Sequence, residues 1–331
     1  MDKILLGHGS GGKLMHALIN EHFSPAFGNT GSGDSAVITV PSKRLAYTTD
    51  SYVVSPLFFP GGNIGDLAVC GTVNDLAVAG AEPLYLTAGF IIEEGFPLSE
   101  LQRIVRSMAE SAAAAGVRIV AGDTKVVNRG KADGLFINTS GIGVLREGVD
   151  ITPMNIRPGD AVIISGEIGN HGVAVLAERN SLTFDPPVLS DTRPLNGLVR
   201  EMFEVTEHIG FMRDPTRGGL ATTLKEAALE SGLCIRIRES AIPVPPPVKG
   251  ACGLLGLDPL YVANEGILIA VAAADAGERL VNAMRKHPHG RQAALIGTVA
   301  TSPAGAVLLE TEIGGSRIID MLQGEQLPRI C

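Results

Sequence analysis

The sequence predicts a mixed protein of the α/β or α+β class with two domains, and three observations lead to this fold. The chain has 331 residues, whereas one domain typically has about 150. Helix-like and strand-like patterns are interspersed in each half, which excludes a helical bundle and an all-β sandwich. A segment rich in proline and glycine, 153–160, separates the halves. We therefore place a glycine-rich segment at 1–33, one domain at 34–150, a second at 158–320 and a flexible tail at 321–331.

The first half contains short apolar runs that are bounded by glycine and polar residues, as is typical of buried strands. Ser99 is a candidate N-cap, and the apolar residues Leu101, Ile104, Val105 and Met108 then recur on one helical face. We predict helices at 66–79 and from Ser99 onward, and strands at 36–40, 45–49, 84–92, 117–121 and 135–145.

A second set of elements follows the linker, and one of its helices is entered through Gly218 and Gly219. Periodicity is lost from Ile318 onward, which predicts the tail. We predict strands at 161–165, 234–238, 266–272, 294–300 and 306–310, and helices at 172–178, 217–231 and 276–286. Each half is therefore expected to form layers of helices and strands.

Composition excludes several classes of function. Hydrophobic residues make up 45% of the chain and charged residues 19%, which is typical of a folded protein. The net charge of −8, the 4% aromatic content and the lack of tryptophan argue against nucleic-acid binding. No apolar run reaches transmembrane length. The four cysteines are too scattered for a zinc site or a disulfide framework, so we expect a cytoplasmic protein.

A glycine-rich run near the N-terminus is a candidate phosphate-binding loop. Residues 7–13 read Gly-His-Gly-Ser-Gly-Gly-Lys, which satisfies the G-x-G-x-x-G pattern. Leu14 stands where a P-loop has serine or threonine, and no clear βαβ unit surrounds the run. Its backbone N–H groups and the Lys13 ammonium could still cradle a phosphate. The alternative interpretation is a flexible N-terminal loop.

Five aspartates follow strand-like runs or glycine-rich turns: Asp34, Asp50, Asp75, Asp123 and Asp214. A single aspartate at a turn is usually a cap or part of an Asx-turn. Several hard oxygen ligands that converge from strand ends are what a Mg²⁺–phosphate site requires. The repetition therefore predicts that these carboxylates meet. Arg213 and Arg217 flank the last of them at a helix start, a position that favours an anion.

Four other residues are of interest for chemistry. Lys125 follows Asp123 by two residues and so lies on the same face of a continuing strand. Glu265 precedes a predicted strand, and His171 is interpreted as a cap at a helix entry. Cys331 is the last residue, and we expect an exposed, mobile thiol there that can act as a nucleophile or carrier. An incidental cysteine is the alternative.

In order along the whole chain, these motifs resemble the HypE family of hydrogenase maturation proteins. The resemblance is carried by residues 7–13, by the Asp50 motif, by Asn-Asp-Leu-Ala-Val-Ala-Gly-Ala-Glu-Pro at 74–83, by Gly-Asp-Thr-Lys at 122–125, by Arg-Asp-Pro-Thr-Arg-Gly-Gly-Leu at 213–220, and by Pro-Arg-Ile-Cys at 328–331. The family belongs to the PurM-like superfamily of aminoimidazole ribonucleotide synthetase and selenophosphate synthetase. The resemblance implies two α/β domains, a homodimer formed through a β-barrel-like interface of the N-terminal domains, and ATP with Mg²⁺ between the domains.

The resemblance also implies a reaction in [NiFe] hydrogenase maturation. The carbamoyltransferase HypF would place a carboxamide on Cys331, and ATP-dependent dehydration would convert it to a thiocyanate. The cyano group would then pass to iron held by the HypC–HypD complex. Neither nucleic acid nor a membrane is implied.

The resemblance further implies roles for individual residues. The implied metal ligands are Asp50, Asp75 and Asp214. The implied ATP-binding residues are Gly9, Ser10, Gly11, Gly12, Lys13, Asp34, Thr49, Asn74, Asp123, Arg217, Gly218 and Gly219. The implied catalytic residues are Cys331, with Lys125 and Glu265 to orient the carboxamide and remove its N–H protons.

Three alternatives stay open at this point. A selenophosphate synthetase carries a cysteine or selenocysteine in its N-terminal glycine-rich segment, where this chain has His8 and Ser10. An aminoimidazole ribonucleotide synthetase has no use for a terminal cysteine. A non-catalytic nucleotide-binding scaffold would not need the metal aspartates, which are present.

Overall fold

The computed structural model describes residues 3–9, 13–28, 40, 44–322, 327 and 330–331. Several predicted features lie outside these residues: Ser10, Gly11, Gly12, Asp34, the side chain of Lys13 and most of the strand at 36–40. That the glycine-rich run and Asp34 join the other aspartates therefore stays a prediction.

The N-terminal half is built on a four-stranded sheet. Its elements are α1 (Lys13–Leu18), α2 (Ser24–Phe27), β1 (Leu45–Tyr52), β2 (Phe58–Phe59), β3 (Gly62–Asn63), α3 (Ile64–Val78), β4 (Ala81–Glu93), α4 (Leu98–Ala115), β5 (Arg118–Val127) and β6 (Leu135–Leu145). The strand order is β1-β6-β4-β5, in which only β4 and β5 run parallel. The four strands predicted from 45 onward are confirmed, three of them with longer ends.

Helix α4 forms because its apolar residues lie on one face. Leu101, Ile104, Val105 and Met108 are all buried, as predicted. The predicted N-cap is wrong: Pro97 occupies that position and Ser99 lies inside the helix. The helix ends at Gly116, whose left-handed conformation (φ 71°) suits glycine.

Helix α3 is buried on nearly every side, and most of its residues are apolar or small. Asn63 caps it and forms a capping box with Asp66, which is why it begins before the predicted residue 66. The helix packs against the N-terminal sheet, against α4 and against the C-terminal half of the chain. This position places Asp75, near its C-terminal end, between the two halves.

The other face of the four-stranded sheet is not covered by any element of the described part of the chain, and we call it the open face. It is formed by alternate residues of the strands, which include Tyr47, Thr49, Thr87, Ile91, Asp123, Lys125 and Asn138. Tyr47 is 71% exposed, an unusual position for a tyrosine on a strand.

The C-terminal half is built on a seven-stranded sheet. Its elements are β7 (Ala161–Ile164), α5 (Asn170–Arg179), α6 (Asn196–Val205), β8 (Ile209–Arg213), α7 (Gly219–Ser231), β9 (Cys234–Arg238), α8 (Pro246–Leu255), β10 (Ile269–Ala272), α9 (Gly277–Met284), β11 (Ala294–Ala300), β12 (Val307–Glu310) and β13 (Ser316–Ile319). The strand order is β13-β12-β9-β11-β7-β10-β8. Val162 and Ile163 of β7 face two different cores, so this sheet is covered on both faces. The mixed two-domain α/β fold class is thereby confirmed.

Sequence reasoning missed several elements of this half. Helix α6 begins at Asn196, and its N-cap residue, Leu195, has no side chain that could cap it. Helix α8 begins within a run of prolines, where Pro246 is tolerated because first-turn N–H groups need no helical partner. Strand β13 pairs with β12 where we expected the loss of structure. The strand predicted from Gly266 begins only at Ile269. Across the described parts of the chain, no helix is long and apolar enough to span a membrane.

Candidate functional site

A cavity of about 200 Å³ lies between the two halves of the chain. It is lined by Thr49, Asp50, Gly71, Asp75, Arg213, Asp214, Thr216, Arg217, Glu265 and Cys331. Three of the five predicted aspartates therefore meet here, together with the predicted Glu265 and Cys331. We call this space the interdomain cavity.

Each of the three aspartates comes from a different element. Asp50 lies in β1 and Asp75 in α3, and the Thr48 hydroxyl donates a hydrogen bond of 2.9 Å to the Asp75 carboxylate. Asp214 directly follows β8. Only Asp214 matches the expected position at a strand end, because Asp50 lies within a strand and Asp75 within a helix.

The carboxylates disfavour one another's charge. Burial raises the pKa of Asp75, the Thr48 hydrogen bond opposes this shift, and nearby Asp50 adds to it. Burial also raises the pKa of Asp214 to about 7, and the charge of Asp75 adds to that shift. Positive charge that enters the cavity would relieve this repulsion.

Glu265 is the most deeply buried acid of the site. Burial raises its pKa well above the usual range, and the charges of Asp214 and Asp191 add to the shift. Its Oε1 atom has no hydrogen-bond partner among the described residues. The Asp191 carboxylate accepts hydrogen bonds from the backbone N–H groups of Glu265 (3.2 Å) and Gly266 (3.0 Å), which holds this turn in place.

The end of the chain enters the cavity, contrary to the expectation of an exposed tail. Ile330 is buried, and its carbonyl accepts a hydrogen bond from His171 Nε2 at 2.9 Å. The main-chain oxygen of Cys331 accepts one from the backbone N–H of Val53 at 3.2 Å. Burial raises the pKa of the Cys331 thiol to about 12, nearby Glu265 adds to the shift, and Arg217 opposes it.

Asn74 was predicted to bind ATP, but its side chain forms hydrogen bonds with backbone groups of the protein. Its amide group donates to the carbonyls of Arg193 and Glu265, both at 3.1 Å, and its oxygen accepts from the N–H of Leu195 at 2.8 Å. The side chain is fully buried, so it joins α3 to the turn that carries Glu265. Thr49 does line the cavity, and its hydroxyl donates to the Thr139 carbonyl.

Both arginines of the predicted anion-binding turn, Arg213 and Arg217, line the cavity, whereas Gly218 and Gly219 do not. Gly218 and Gly219 open α7 with φ of 72° and 60°. A Cβ on Gly219 would lie 2.6 Å from the Leu260 carbonyl oxygen, so close backbone packing requires glycine here. Gly9 ends a short 3₁₀ turn, Leu6–Gly9.

Asp123 and Lys125 lie away from the other candidates. The Lys125 ammonium contacts the Asp123 carboxylate at 2.8 Å on the open face, so the prediction that they share a strand face is confirmed. Strand β5 is separated from β1 by three strand spacings, about 14 Å. Within one chain the structure therefore does not bring Lys125 or Asp123 to Cys331.

Sequence reasoning missed two residues of the site and misread a third. Asp191 and Ser190 belong to a segment, 186–195, in which no element is predicted or found. His171 lies in the first turn of α5, where Gly169 is the N-cap, so its interpretation as a cap is wrong. A polar residue in a loop carries no sequence signal that distinguishes burial from exposure.

Family models of AIR synthase related proteins match most of the chain. The model of the N-terminal domain matches residues 32–145, and that of the C-terminal domain matches residues 157–310. The two matched ranges contain the four-stranded and most of the seven-stranded sheet.

Individual relatives match over nearly their full length. The chain is 54% identical over 327 residues to the carbamoyl dehydratase HypE of Azotobacter vinelandii, a match that covers 98% of this chain and 96% of the relative. It is similar to a crystal structure of the hydrogenase maturation protein HypE in complex with ATP, with a TM-score of 0.95, 47% identity and 99% of each chain covered. It is also similar to a chain in a crystal structure of the HypE–HypF complex, with a TM-score of 0.82, 50% identity and coverage of 92% of this chain and 100% of the other. The chain therefore belongs to the HypE family of PurM-like, AIR synthase related proteins.

Proposed function

We propose that this chain catalyses the ATP-dependent dehydration of a carboxamide on Cys331 to a thiocyanate, in the maturation of [NiFe] hydrogenase. The observation that carries the proposal is the position of Cys331, which lies in one cavity with Glu265, Asp50, Asp75 and Asp214. Relatives named carbamoyl dehydratase and a similar chain in complex with ATP support the same activity.

The reaction removes the oxygen and both N–H protons of the carboxamide. The carbon–oxygen bond breaks, a carbon–nitrogen triple bond forms, and the sulfur–carbon bond is kept. Because an amide oxygen is a poor leaving group, bound ATP would supply the phosphoryl group with which this oxygen leaves as phosphate. ADP and phosphate are the other products.

The cavity fits Mg²⁺ together with the phosphates of a nucleotide. Asp50, Asp75 and Asp214 supply the hard oxygen ligands that Mg²⁺ prefers, and their mutual repulsion would be relieved by a cation. No group of three acidic, histidine or cysteine side chains among the described residues is close enough to enclose a metal ion alone. Mg²⁺ commonly takes one or two carboxylates and completes its shell with phosphate oxygens and water.

Glu265 is the residue that we propose to accept the amide protons. Its unpaired Oε1 faces no competing donor among the described residues, and its raised pKa gives the carboxylate a strong affinity for a proton. Positive charge in the cavity would favour the ionised form that a base requires. Arg217, near enough to Cys331 to affect its pKa, would orient the carboxamide oxygen or a phosphate.

The open face supports the homodimer that we propose. A sheet face that carries exposed Tyr47 and Ile91 beside hydroxyl and charged side chains suits a second copy of the same face. In such a dimer Lys125 and Asp123 would be covered by the partner subunit. The catalytic role predicted for Lys125 depends on this second copy, because within one chain it pairs with Asp123 instead.

Partners are proposed from the relatives and from the chemistry. A similar chain forms a complex with HypF, so we propose HypF as the enzyme that loads Cys331. Delivery of cyanide to iron calls for an acceptor, which we propose to be the HypC–HypD complex in the cytoplasm.

An isotope experiment tests the proposed reaction. HypF would load Cys331 from carbamoyl phosphate labelled with ¹⁸O in its carbonyl oxygen, and Mg²⁺-ATP would then be added. We expect one labelled phosphate for each thiocyanate, and neither product from a Cys331→Ser control. ATP turnover that is independent of the loaded cysteine would overturn the proposal.

A further inference from the structure

His171 is a fully buried histidine whose two ring nitrogens are both engaged, although the proposed chemistry does not use it. Its Nε2 lies 2.9 Å from the carbonyl oxygen of Ile330, the residue before Cys331. Its Nδ1 lies 2.8 Å from the Ser190 hydroxyl oxygen. The ring therefore connects the end of the chain to the 186–195 segment.

The partners of the ring determine its tautomer. A carbonyl oxygen only accepts hydrogen bonds, so the Nε2 atom of His171 must carry the proton that it donates to Ile330. In the neutral ring Nδ1 is then an acceptor, and the Ser190 hydroxyl donates to it. Burial lowers the pKa of His171, which agrees with a neutral ring.

Ser190 is itself held in place. Its backbone N–H donates to the Pro60 carbonyl at 2.8 Å, and its hydroxyl oxygen accepts from the Thr192 N–H at 3.2 Å. The Phe59 ring packs edge-on against His171, with 5.4 Å between ring centroids. A ring constrained on three sides presents Nε2–H in one direction, towards the tail.

The tail is bound from both halves of the chain. His171 donates to the Ile330 carbonyl from the C-terminal half, and the Val53 N–H donates to the main-chain oxygen of Cys331 from the N-terminal half. The residue after Ser190 is Asp191, which holds the turn that carries Glu265. One short segment thus positions both the tail and the proposed proton acceptor.

We propose that His171, oriented by Ser190, is a latch that holds the tail in the interdomain cavity and thereby separates two stages of the cycle. The inference rests on the proposed function, because a carrier thiol must leave this cavity to be loaded and return to it to react. A latched tail favours dehydration, and a released tail favours loading. His171 is a positioning residue and touches no reacting atom.

The first test measures how often the tail leaves the cavity. The other cysteines, Cys70, Cys234 and Cys252, are buried, so iodoacetamide should modify Cys331 first. The docked thiol has a pKa of about 12 and reacts slowly, so the rate of alkylation reports release. We expect His171→Ala and Ser190→Ala to accelerate alkylation about threefold to tenfold, the size of one lost hydrogen bond. The exposed His208→Ala is the matched control and should leave the rate unchanged.

A conservative variant distinguishes a latch from general loosening. A glutamine amide can place a donor near the position of Nε2, so His171→Gln should restore part of the slow alkylation rate that His171→Ala loses. Alkylation rates that do not change in His171→Ala and Ser190→Ala would overturn the latch. This readout needs neither ATP nor a carbamoyl group, so it stands even if the proposed reaction fails.

The second test follows the two stages separately in the full chain. In Ser190→Ala we expect loading by HypF to proceed at least as fast as in the parent protein, while single-turnover dehydration slows about threefold to tenfold. A residue that only stabilises the fold would affect both stages in the same direction. A parallel fall of both rates would therefore contradict the latch.

Discussion

The interdomain cavity and the open face both carry carboxylates that the sequence places in similar contexts, yet their environments are opposite. In the cavity, burial raises the pKa of Asp75, Asp214 and Glu265. On the open face, the hydrogen bond from Lys125 lowers the pKa of Asp123, and both side chains are 61% exposed. Aspartates of the same residue type therefore have pKa values shifted in opposite directions, because burial and like charges dominate in the cavity and one lysine dominates on the open face.

This difference indicates that the carboxylates of the cavity lower the stability of the protein, whereas those of the open face do not. Like charges gathered in a buried cavity destabilise the empty protein and are relieved by a bound cation. An exposed ion pair is screened by water and contributes little. Neutralising a carboxylate of the cavity should therefore lower activity and stabilise the empty protein. Neutralising a carboxylate of the open face should change the stability of the single chain only slightly.

The largest expected effect is at Cys331. Cys331→Ala should abolish thiocyanate formation while the fold and ATP binding stay intact, because the side chain carries the substrate and contributes little to the core. Mass spectrometry of the products, thermal unfolding and ATP titration measure the three properties. Loss of folding or of ATP binding would count against a carrier role.

The second largest effect is expected for Glu265→Gln. Loss of the proton acceptor should slow dehydration about 10²-fold to 10⁴-fold in single-turnover measurements. Loading by HypF should be unaffected, and the exposed Glu278→Gln serves as the control. Dehydration at the parent rate in Glu265→Gln would remove this residue from the mechanism.

Asp75→Asn should weaken Mg²⁺-ATP binding by at least about tenfold, since it removes a charged oxygen ligand from the cavity. Calorimetric titration with and without Mg²⁺ measures the change. The matched open-face variant, Asp123→Asn, should weaken Mg²⁺-ATP binding less when both proteins are measured as monomers. Normal affinity in Asp75→Asn would exclude it from the ligand set.

Asp214→Asn should change how stability depends on pH. The pKa of Asp214 is about 7 in the folded protein, against 3.8 in the unfolded chain, so the folded state binds the extra proton between these values. Without Mg²⁺, stability should therefore fall as pH rises from about 4 to 7. The Asn variant lacks this loss, so it should unfold at a higher temperature than the parent at pH 8, with the gap closing towards pH 4. An equal difference in unfolding temperature between variant and parent at pH 8 and at pH 4 would contradict the raised pKa of Asp214.

Asp123→Asn should have the smallest effect on stability. Removing one partner of an exposed pair should change the free energy of unfolding of the isolated chain by less than about 1 kcal/mol, as chemical denaturation would measure. A loss of more than about 1 kcal/mol at protein concentrations where the chain is monomeric would contradict the exposed pair.

The sequence was informative where a pattern has a direct physical cause. Strands β4, β5 and β6 and the apolar face of α4 follow from periodicity, and the convergence of Asp50, Asp75 and Asp214 follows from their repeated contexts. Helices α6 and α8 were not predicted, because α6 has no side-chain cap and α8 begins with prolines.

The details of the site needed three-dimensional information. Asn74 was expected to bind ATP, yet it satisfies buried backbone groups far away in sequence. His171 and Asp191 acquire their roles from contacts with residues 159 and 74 positions away in the chain. No local pattern encodes such contacts, because they arise only when the tail and the 186–195 segment pack together.

The mass of the C-terminal peptide tests the central claim most directly. The chain would be incubated with HypF and carbamoyl phosphate, and the peptide would be measured before and after excess Mg²⁺-ATP. We predict a carbamoyl group on Cys331 that then loses one water. An unmodified Cys331 in the presence of a demonstrably active carbamoyltransferase would contradict the account and leave an ATP-dependent enzyme that acts on a small molecule.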